Sequence, residues 1–229
     1  MPDDAAGGRT ASRPQRPAAP AAAAEHAAAG CRLFLAVWPA VAERDALLHR
    51  QQQWSWPPGA AAIAGERLHL TLHFLGSLPR QRLAELGNGL QVAFEPFELV
   101  LDRAEIWPNG LVVLRSGSPA AALQALHGRL GDALRSLGLI PERRRFRPHV
   151  TLARRAAGSI PPVAAAEVRW QVNSYALVES LASGAGGYLV HRRYGCGHRA
   201  APGGDDAFLT NGETRPNAEL SPPLRDASG

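Results

Sequence analysis

The sequence predicts an α+β fold for a single domain. Strand-like and helix-like segments alternate between residues 31 and 199, and some strand-like segments follow one another with no helix between them. This mixed order is typical of α+β proteins. The flanking residues 1–30 and 200–229 are rich in Ala, Pro and Gly and offer little apolar surface for a core. We therefore expect two disordered tails around one domain of about 170 residues.

The first half of the domain predicts two strands, each followed by a helix. Residues 32–37 are an apolar run typical of a buried strand, and a helical stretch follows at 40–53. Residues 68–75 alternate between apolar and polar side chains, which indicates a strand with one exposed face. The next helix is expected to begin at Pro79 and to reach about Phe94.

The second half is predicted to open with two neighbouring strands, at 97–106 and 111–115. The sequence Pro108-Asn109-Gly110 between them is a turn signal. A helix over 119–137 is expected to end at Gly138, because glycine readily adopts the backbone conformation that closes a helix. The remaining segments predict strands at 148–153, at 167–179 with an interruption at Asn173, and at 188–194.

The basic residues are all arginines: the chain has 25 of them and no lysine. This excludes functions that need a lysine amine, such as phosphate-binding P-loops, Schiff-base and pyridoxal enzymes, and adenylating ligases. The two tails hold five arginines and eight acidic residues, so residues 31–199 carry 20 arginines against 12 acidic residues, a net charge of +8. Such a surface favours anionic partners such as RNA or phosphate esters.

Three features of the chain suggest a cytoplasmic protein. Cys31 and Cys196 are too few for a disulfide framework, and we expect both to be free structural thiols. No signal peptide is expected, because Asp3 and Asp4 stand where positive charge would be needed. No apolar run approaches the roughly 18 residues needed to cross a bilayer.

The most informative feature is a six-residue motif that occurs twice. Arg67-Leu-His69-Leu-Thr71-Leu72 and Arg147-Pro-His149-Val-Thr151-Leu152 share the pattern R-x-H-x-T-L, 80 residues apart. In a strand, residues i and i+2 point to the same face, so each copy presents an imidazole beside a hydroxyl. Eight His and five Thr in 229 residues give roughly 0.2 copies of H-x-T by chance. The two copies of the motif therefore predict a functional site formed by their histidines and threonines.

Paired imidazoles and hydroxyls suit proton transfer at a phosphate ester. With a pKa near 6.5, one histidine can be neutral and accept a proton while the other is protonated and donates one. Threonine hydroxyls can donate hydrogen bonds to the phosphate oxygens on which charge develops. This chemistry requires no metal ion.

The chain resembles the two-histidine phosphoesterases, and within them the RNA 2′,3′-cyclic phosphodiesterase family, also called the 2′-5′ RNA ligase or LigT-like family. The resemblance covers residues 31 to about 195 and includes the late segment 176–180 with Gly184 and Tyr188. The other segments on which the resemblance rests are Arg32-Leu-Phe-Leu-Ala-Val-Trp-Pro39, His69-Leu-Thr-Leu-His-Phe-Leu-Gly76 and Phe146-Arg-Pro-His-Val-Thr-Leu-Ala-Arg154. It implies a bilobal, pseudo-twofold α+β unit, with antiparallel sheets lining a central cleft and helices outside.

The resemblance also implies an activity: hydrolysis of a terminal 2′,3′-cyclic phosphate on RNA to a 2′-phosphate, with no metal or nucleotide cofactor. His69 would be the general acid and His149 the general base, while Thr71, Thr151 and Arg154 would hold the phosphate. The two motifs are nearly symmetric, so the acid and base roles can be exchanged, and the reverse reaction would be 2′-5′ ligation. The expected partner is an RNA end, for a monomer with no membrane contact and no obligate protein partner.

Several residues near the motifs have more than one interpretation. His73 is expected on the face of His69, but four residues along a strand span about 13 Å, too far for one metal ion. Core packing is expected for Phe34 and Phe74, whereas Phe146 could pack or stack on a base. Arginines near the second motif form a solvated loop or contact the RNA backbone: Arg143, Arg144, Arg145 and Arg147. Arg155 is expected to point away from the site.

Two alternative functions remain open. A module that only binds RNA could use the same positive cleft, although binding alone would not need two complete H-x-T pairs. An enzyme of the same kind could instead act on a small cyclic nucleotide or another phosphoester, a choice that depends on loops at the mouth of the cleft.

Overall fold

A computed structural model describes residues 30–163, 166–181 and 187–195. The expected tails, apart from Gly30, lie outside the described residues, as do Cys196 and Gly184. Within the described part, helices and antiparallel sheets are mixed, which confirms the α+β prediction. No helix in these three ranges is long and apolar enough to cross a membrane.

One antiparallel sheet dominates the structure. Its strands are β1 (Gly30–Val37), β2 (Ala61–Ala62), β3 (Leu70–Pro79), β5 (Arg103–Ile106), β6 (Val112–Arg115), β7 (His149–Arg154), β9 (Ser174–Ser180) and β10 (Tyr188–Gly195). They lie in the order β10-β9-β1-β3-β7-β6-β5 across the sheet. Strand β2 pairs with the far end of β7, beside Ala153 and Arg154. The expected strand positions are confirmed to within a few residues at most ends.

A second, two-stranded sheet pairs β4 (Phe97–Leu101) with β8 (Val168–Val172). The prediction of one continuous strand at 97–106 is wrong, because the chain leaves this small sheet at Asp102 and enters the main sheet as β5. The Asp102 carboxylate accepts the Gly117 backbone N–H at 2.6 Å, which secures the crossing. The interruption expected at Asn173 is confirmed, since it separates β8 from β9.

Three α-helices, α1 (Val41–Gln52), α2 (Leu83–Gly89) and α3 (Ala121–Ser136), occur in the described ranges. The helix expected from Pro79 to Phe94 is much shorter, because Pro79 still belongs to β3 and the sequence Gly87-Asn88-Gly89 disfavours continuation. Helix α3 ends as predicted at Gly138, whose φ is 73°. Its last carbonyls accept the N–H groups of Gly138 and Leu139, each at 2.9 Å.

The helices and the small sheet cover one face of the main sheet and enclose the core there. The core includes Leu47 from α1, Leu86 from α2, and Leu123, Leu126, Leu130 and Leu134 from α3, which pack against Leu33, Leu35, Leu70, Leu72, Val150 and Leu152 of the sheet. The opposite face carries a smaller cluster of Phe34, Ala36, Ala176 and Val178, with Trp38, Tyr188 and Val190 at its edge. This second face is left open by the helices.

Candidate active site

The two motifs meet where the halves of the main sheet join. Strands β3 and β7 pair there only through Leu70 and Val150, the residues between the histidine and the threonine of each motif. Both are fully buried on the core side, so their neighbours lie on the open face. An antiparallel pair in this register sets His69 beside Thr151 and Thr71 beside His149. The predicted pairing of the four residues on one face is therefore present.

Each histidine is oriented by the carbonyl of the arginine two residues before it. His69 Nδ1 lies 2.7 Å from the Arg67 carbonyl oxygen, and His149 Nδ1 lies 2.7 Å from that of Arg147. A carbonyl can only accept, so Nδ1 carries the proton and donates in both cases. The Nε2 atom of each ring is thereby left for a ligand.

A β-bulge after each threonine changes which side chains share the open face. In β3 the bulge lies opposite Leu35 and Ala36, and in β7 it lies opposite Val112 and Val113. In a regular strand, the fifth residue after a histidine would face the core. The extra residue reverses this and brings Phe74 and Arg154 to the open face. The two bulges occupy equivalent places in the two motifs.

The first bulge also corrects the expectation for His73, which does not share a face with His69. Its ring is 3% exposed and stacks on His127 of α3, with centroids 4.0 Å apart. His73 Nε2 lies 2.8 Å from the His127 carbonyl oxygen. The residue is thus a buried partner of α3, because the bulge turns it to the helical side of the sheet.

Aromatic rings enclose His69. Trp38 stacks on the imidazole at 4.8 Å, while Phe34 and Tyr188 contact it at 5.2 Å. This desolvation is the main reason why the pKa of His69 falls from 6.5 to about 4. The charge of Arg154 lowers the pKa further, ahead of the smaller effects of His149 and Arg67. His69 is therefore neutral at pH 7 in the free protein.

His149 lies against Trp107, with ring centroids 4.6 Å apart. Burial again lowers its pKa, and the charges of Arg147 and Arg154 act in the same direction. Glu105 connects this side of the site: its carboxylate accepts Trp107 Nε1 at 2.9 Å, Arg115 Nε at 2.5 Å and an Arg147 guanidinium N–H at 3.2 Å. The Arg147 guanidinium also lies over the Trp107 ring at 4.6 Å. One carboxylate thus holds both the Trp107 indole, which contacts His149, and the Arg147 guanidinium, whose charge lowers the pKa of His149.

Arg154 has an exposed side chain at the end of β7. Its charge lowers the pKa of both histidines, which places the guanidinium within electrostatic reach of both rings. No carboxylate of the described residues forms an ion pair with it. Arg155, at φ 50°, instead donates to the Gly59 carbonyl oxygen at 3.3 Å. The cation is available to an anionic ligand.

A cavity of about 400 Å³ extends from Thr71 and His149 towards the loop before β7. Phe74, which was expected to pack in the core, is 56% exposed and lines this cavity. Phe34 is buried as expected, in the cluster on the open face. Phe146 is partly buried and stacks on His127 at 3.9 Å. Of these three phenylalanines, Phe74 has the exposed ring on which a base could stack.

Sequence reasoning missed several residues that shape the site: Trp38, Trp107 and Glu105. Trp38 directly follows β1 and lies in the segment Arg32–Pro39 that carries the family resemblance, but no role in the site was expected of it. Trp107 stands at the start of the predicted turn, but its contact with His149 depends on the pairing of β6 with β7. Nothing in the sequence singles out Glu105 among 20 acidic residues.

Comparison with known proteins identifies similar chains. The family model described as the 2′-5′ RNA ligase superfamily matches residues 38–183. The RNA 2′,3′-cyclic phosphodiesterase of Thermus thermophilus is 34% identical over 168 residues, which cover 65% of this chain and 81% of that protein. The Escherichia coli protein of the same name is 33% identical over 135 residues, or 57% of this chain and 77% of that protein.

The fold is shared with solved structures. The crystal structure of Escherichia coli LigT complexed with 3′-AMP matches with a TM-score of 0.65 and 29% sequence identity, over 74% of this chain and 99% of that chain.

Proposed function

The chain belongs to the 2′-5′ RNA ligase superfamily, and from this premise we propose that it hydrolyses a 2′,3′-cyclic phosphate at the end of an RNA to a 2′-phosphate. The relatives named RNA 2′,3′-cyclic phosphodiesterase support this reaction. The observation that carries the proposal is the pair of imidazoles whose Nδ1 atoms are both engaged by backbone carbonyls. Two Nε2 atoms on one face are a proton donor and a proton acceptor for the same phosphate.

The proposed reaction needs one water and no other co-reactant. His149 Nε2 accepts a proton as the water oxygen attacks phosphorus, and the bond from phosphorus to the ribose O3′ breaks. His69 Nε2 donates a proton to that O3′. The product keeps its phosphate on O2′, and proton exchange with solvent restores both rings. No metal ion takes part in these steps.

The phosphate itself supplies the condition for acid catalysis by His69. In the free protein, burial keeps both imidazoles neutral at pH 7. An anionic phosphodiester beside the rings favours the imidazolium form and raises the pKa of the histidine that it contacts. The enzyme therefore gains its acid on substrate binding, while the second histidine remains available as the base.

The remaining residues of the site bind the phosphate. The hydroxyls of Thr71 and Thr151 donate to its non-bridging oxygens, and the Arg154 guanidinium, free of carboxylate partners in the described residues, neutralises its charge. The exposed Phe74 ring offers a stacking surface to the terminal base. Reversal of the same proton transfers, with a ribose hydroxyl in place of water, would give 2′-5′ ligation.

We propose that the protein acts as a monomer in the cytoplasm, without an obligate protein partner. Both histidines and both threonines come from one chain, so these four residues need no second copy. The RNA partner agrees with the net charge of +8 over residues 31–199.

An assay on an RNA that ends in a 2′,3′-cyclic phosphate tests the proposal. In buffer with EDTA, the wild type should release a 2′-phosphate product with a bell-shaped pH dependence. His69→Ala and His149→Ala should each reduce kcat/KM about 10²–10⁴-fold. His49→Ala, at an exposed histidine on α1, is the control and should keep full activity.

Two results would contradict this function. Activity that appears only with added metal would contradict the two-histidine mechanism. Wild-type activity in a double His69→Ala, His149→Ala variant would contradict it as well. RNA binding at wild-type strength without turnover of any cyclic phosphate would identify a binding module instead.

A further inference from the structure

A segment of arginines borders the cavity beside the reaction centre. Arg144, Arg145 and Arg147 line it together with Phe146 and Glu142. Thr71 and His149 also line this cavity. At about 400 Å³ it falls in the size range of small-molecule binding sites. A molecule held at the two histidines would therefore extend towards these arginines.

Three stacked rings fix this segment to the body of the domain. The Phe146 ring stacks on His127 with an interplanar angle of 14°, and His127 stacks on His73 with an angle of 18°. Burial lowers the pKa of His127 to about 4, so the stack is uncharged at neutral pH. The arginines beside Phe146 thus project from a supported backbone, and little ordering is required when a ligand binds.

The charge of the segment is only partly compensated. Arg147 pairs with Glu105 at 3.2 Å, and Arg144 approaches Glu142 at 3.6 Å with 90% of its side chain exposed. Arg145 has no ion-pair partner among the residues that the structure describes. The edge of the cavity is accordingly a concentration of positive charge directed at solvent.

We propose that Arg144 and Arg145 bind the backbone phosphate upstream of the terminal nucleotide, which makes a polynucleotide end a better substrate than a free cyclic mononucleotide. This inference rests on the proposed function. The terminal phosphate lies between the histidines near Arg154, and the terminal base lies at Phe74. The strand then passes the arginines, because they line the same cavity as Thr71 and His149. A mononucleotide has no phosphate to reach them.

The test compares two substrates: a short single-stranded RNA with a 2′,3′-cyclic phosphate end, and adenosine 2′,3′-cyclic phosphate. In the double variant R144A/R145A, kcat/KM for the RNA should fall about tenfold, while kcat/KM for the mononucleotide should change less than about twofold. Between about 50 and 200 mM salt, the slope of log kcat/KM against log salt should become shallower by about 0.7, the contribution of one lost phosphate contact on a single strand.

The control is the double variant R44A/R169A, which removes the same charge from α1 and from the small sheet on the far face. It should leave the preference for RNA and the salt slope unchanged. Equal losses on both substrates in R144A/R145A, or an unchanged salt slope, would overturn the inference and leave the function standing. A wild type that hydrolyses neither substrate would remove the function and this inference with it.

Discussion

The orientation and the pKa of the two motif histidines depend on contacts with residues that the H-x-T pattern does not include. His69 and His149 each donate Nδ1–H to a carbonyl two residues earlier, at the same 2.7 Å. Sequence reasoning could identify both rings from the repeated H-x-T pattern, because strand parity puts His and Thr on one face. From the ordinary pKa of histidine, one ring could be charged and the other neutral, whereas burial keeps both neutral in the free protein. Aromatic enclosure by Trp38 and Trp107 depends on tertiary contacts, which a local pattern does not contain.

Acid should unfold the protein through its buried histidines. The pKa values of His69 and His127 fall to about 4 in the folded state, while the unfolded chain binds these protons near pH 6.5. Below pH 6.5 the unfolded state therefore binds more protons, and the free energy of unfolding should decrease between pH 6.5 and 4. Urea unfolding at several pH values measures this, and His127→Gln should flatten the dependence. Stability that rises as the pH falls through this window would contradict the assignment.

Glu105 should act as a positioning residue for His149. The change Glu105→Gln removes a negative charge that compensates Arg147, so the pKa of His149 should fall further. The acidic limb of the profile of kcat/KM against pH should shift to lower pH, and kcat should drop about tenfold through looser placement of Trp107 and Arg147.

Glu98→Gln provides the comparison, because Glu98 pairs with Arg169 at 2.7 Å on the small sheet. It should alter neither quantity. A loss of thermal stability in Glu105→Gln without any shift of the pH profile would show that the carboxylate is only structural.

Strands and helices were largely predictable, and the exceptions have local causes. Apolar runs and alternation located nearly every strand, and Gly138 located the end of α3. The break between β4 and β5 at Asp102 could not be predicted, because the passage of the chain from one sheet to the other does not change the alternation of side chains in the sequence. The bulges were hidden for a similar reason: the segments after Thr71 and Thr151 look like regular strand in sequence. Their effect on Phe74 and His73 could therefore be seen only in the pairing register.

The hairpin that carries Trp107 should be sensitive at its turn. Gly110 has φ 71°, and a Cβ there would lie 3.3 Å from the backbone nitrogens of Ala156 and Ala157. Gly110→Ala should reduce the free energy of unfolding by about 1–3 kcal/mol. Gly128→Ala is the matched change, in the middle of α3 with nothing within 4 Å of the added Cβ. It should stabilise by about 0.5–1 kcal/mol. Urea unfolding that ranks the two variants in the opposite order would refute this account.

At the scale of the molecule, the two halves of the main sheet depend on a narrow junction. Only Leu70 and Val150 pair across β3 and β7, yet the four residues of the two H-x-T motifs are aligned by that pair. The family resemblance predicted a bilobal unit around a cleft, and the motif repeat is consistent with it. Where the halves join could not be predicted, because strand order across a sheet depends on contacts distant in sequence.

Weakening the junction should affect activity as well as stability. Leu70→Ala and Leu47→Ala both truncate a fully buried leucine, so each should reduce the free energy of unfolding by about 2–5 kcal/mol. Under conditions where both variants are folded, only Leu70→Ala should also lower kcat on the cyclic phosphate, because Leu47 lies on α1 in the core. Equal kcat values for the two variants would show that the junction does not align the histidines.

The bulges have a consequence for substrate direction. A site made from two matching halves would accept its ligand equally well in either of two orientations related by the twofold. Both bulges turn a fifth residue to the open face, and here the halves differ: one presents the Phe74 ring and the other the Arg154 cation. A base is attracted to the first and a phosphate to the second. These two unlike side chains therefore make the duplicated site asymmetric. We expect an RNA end to bind in it in only one of the two orientations.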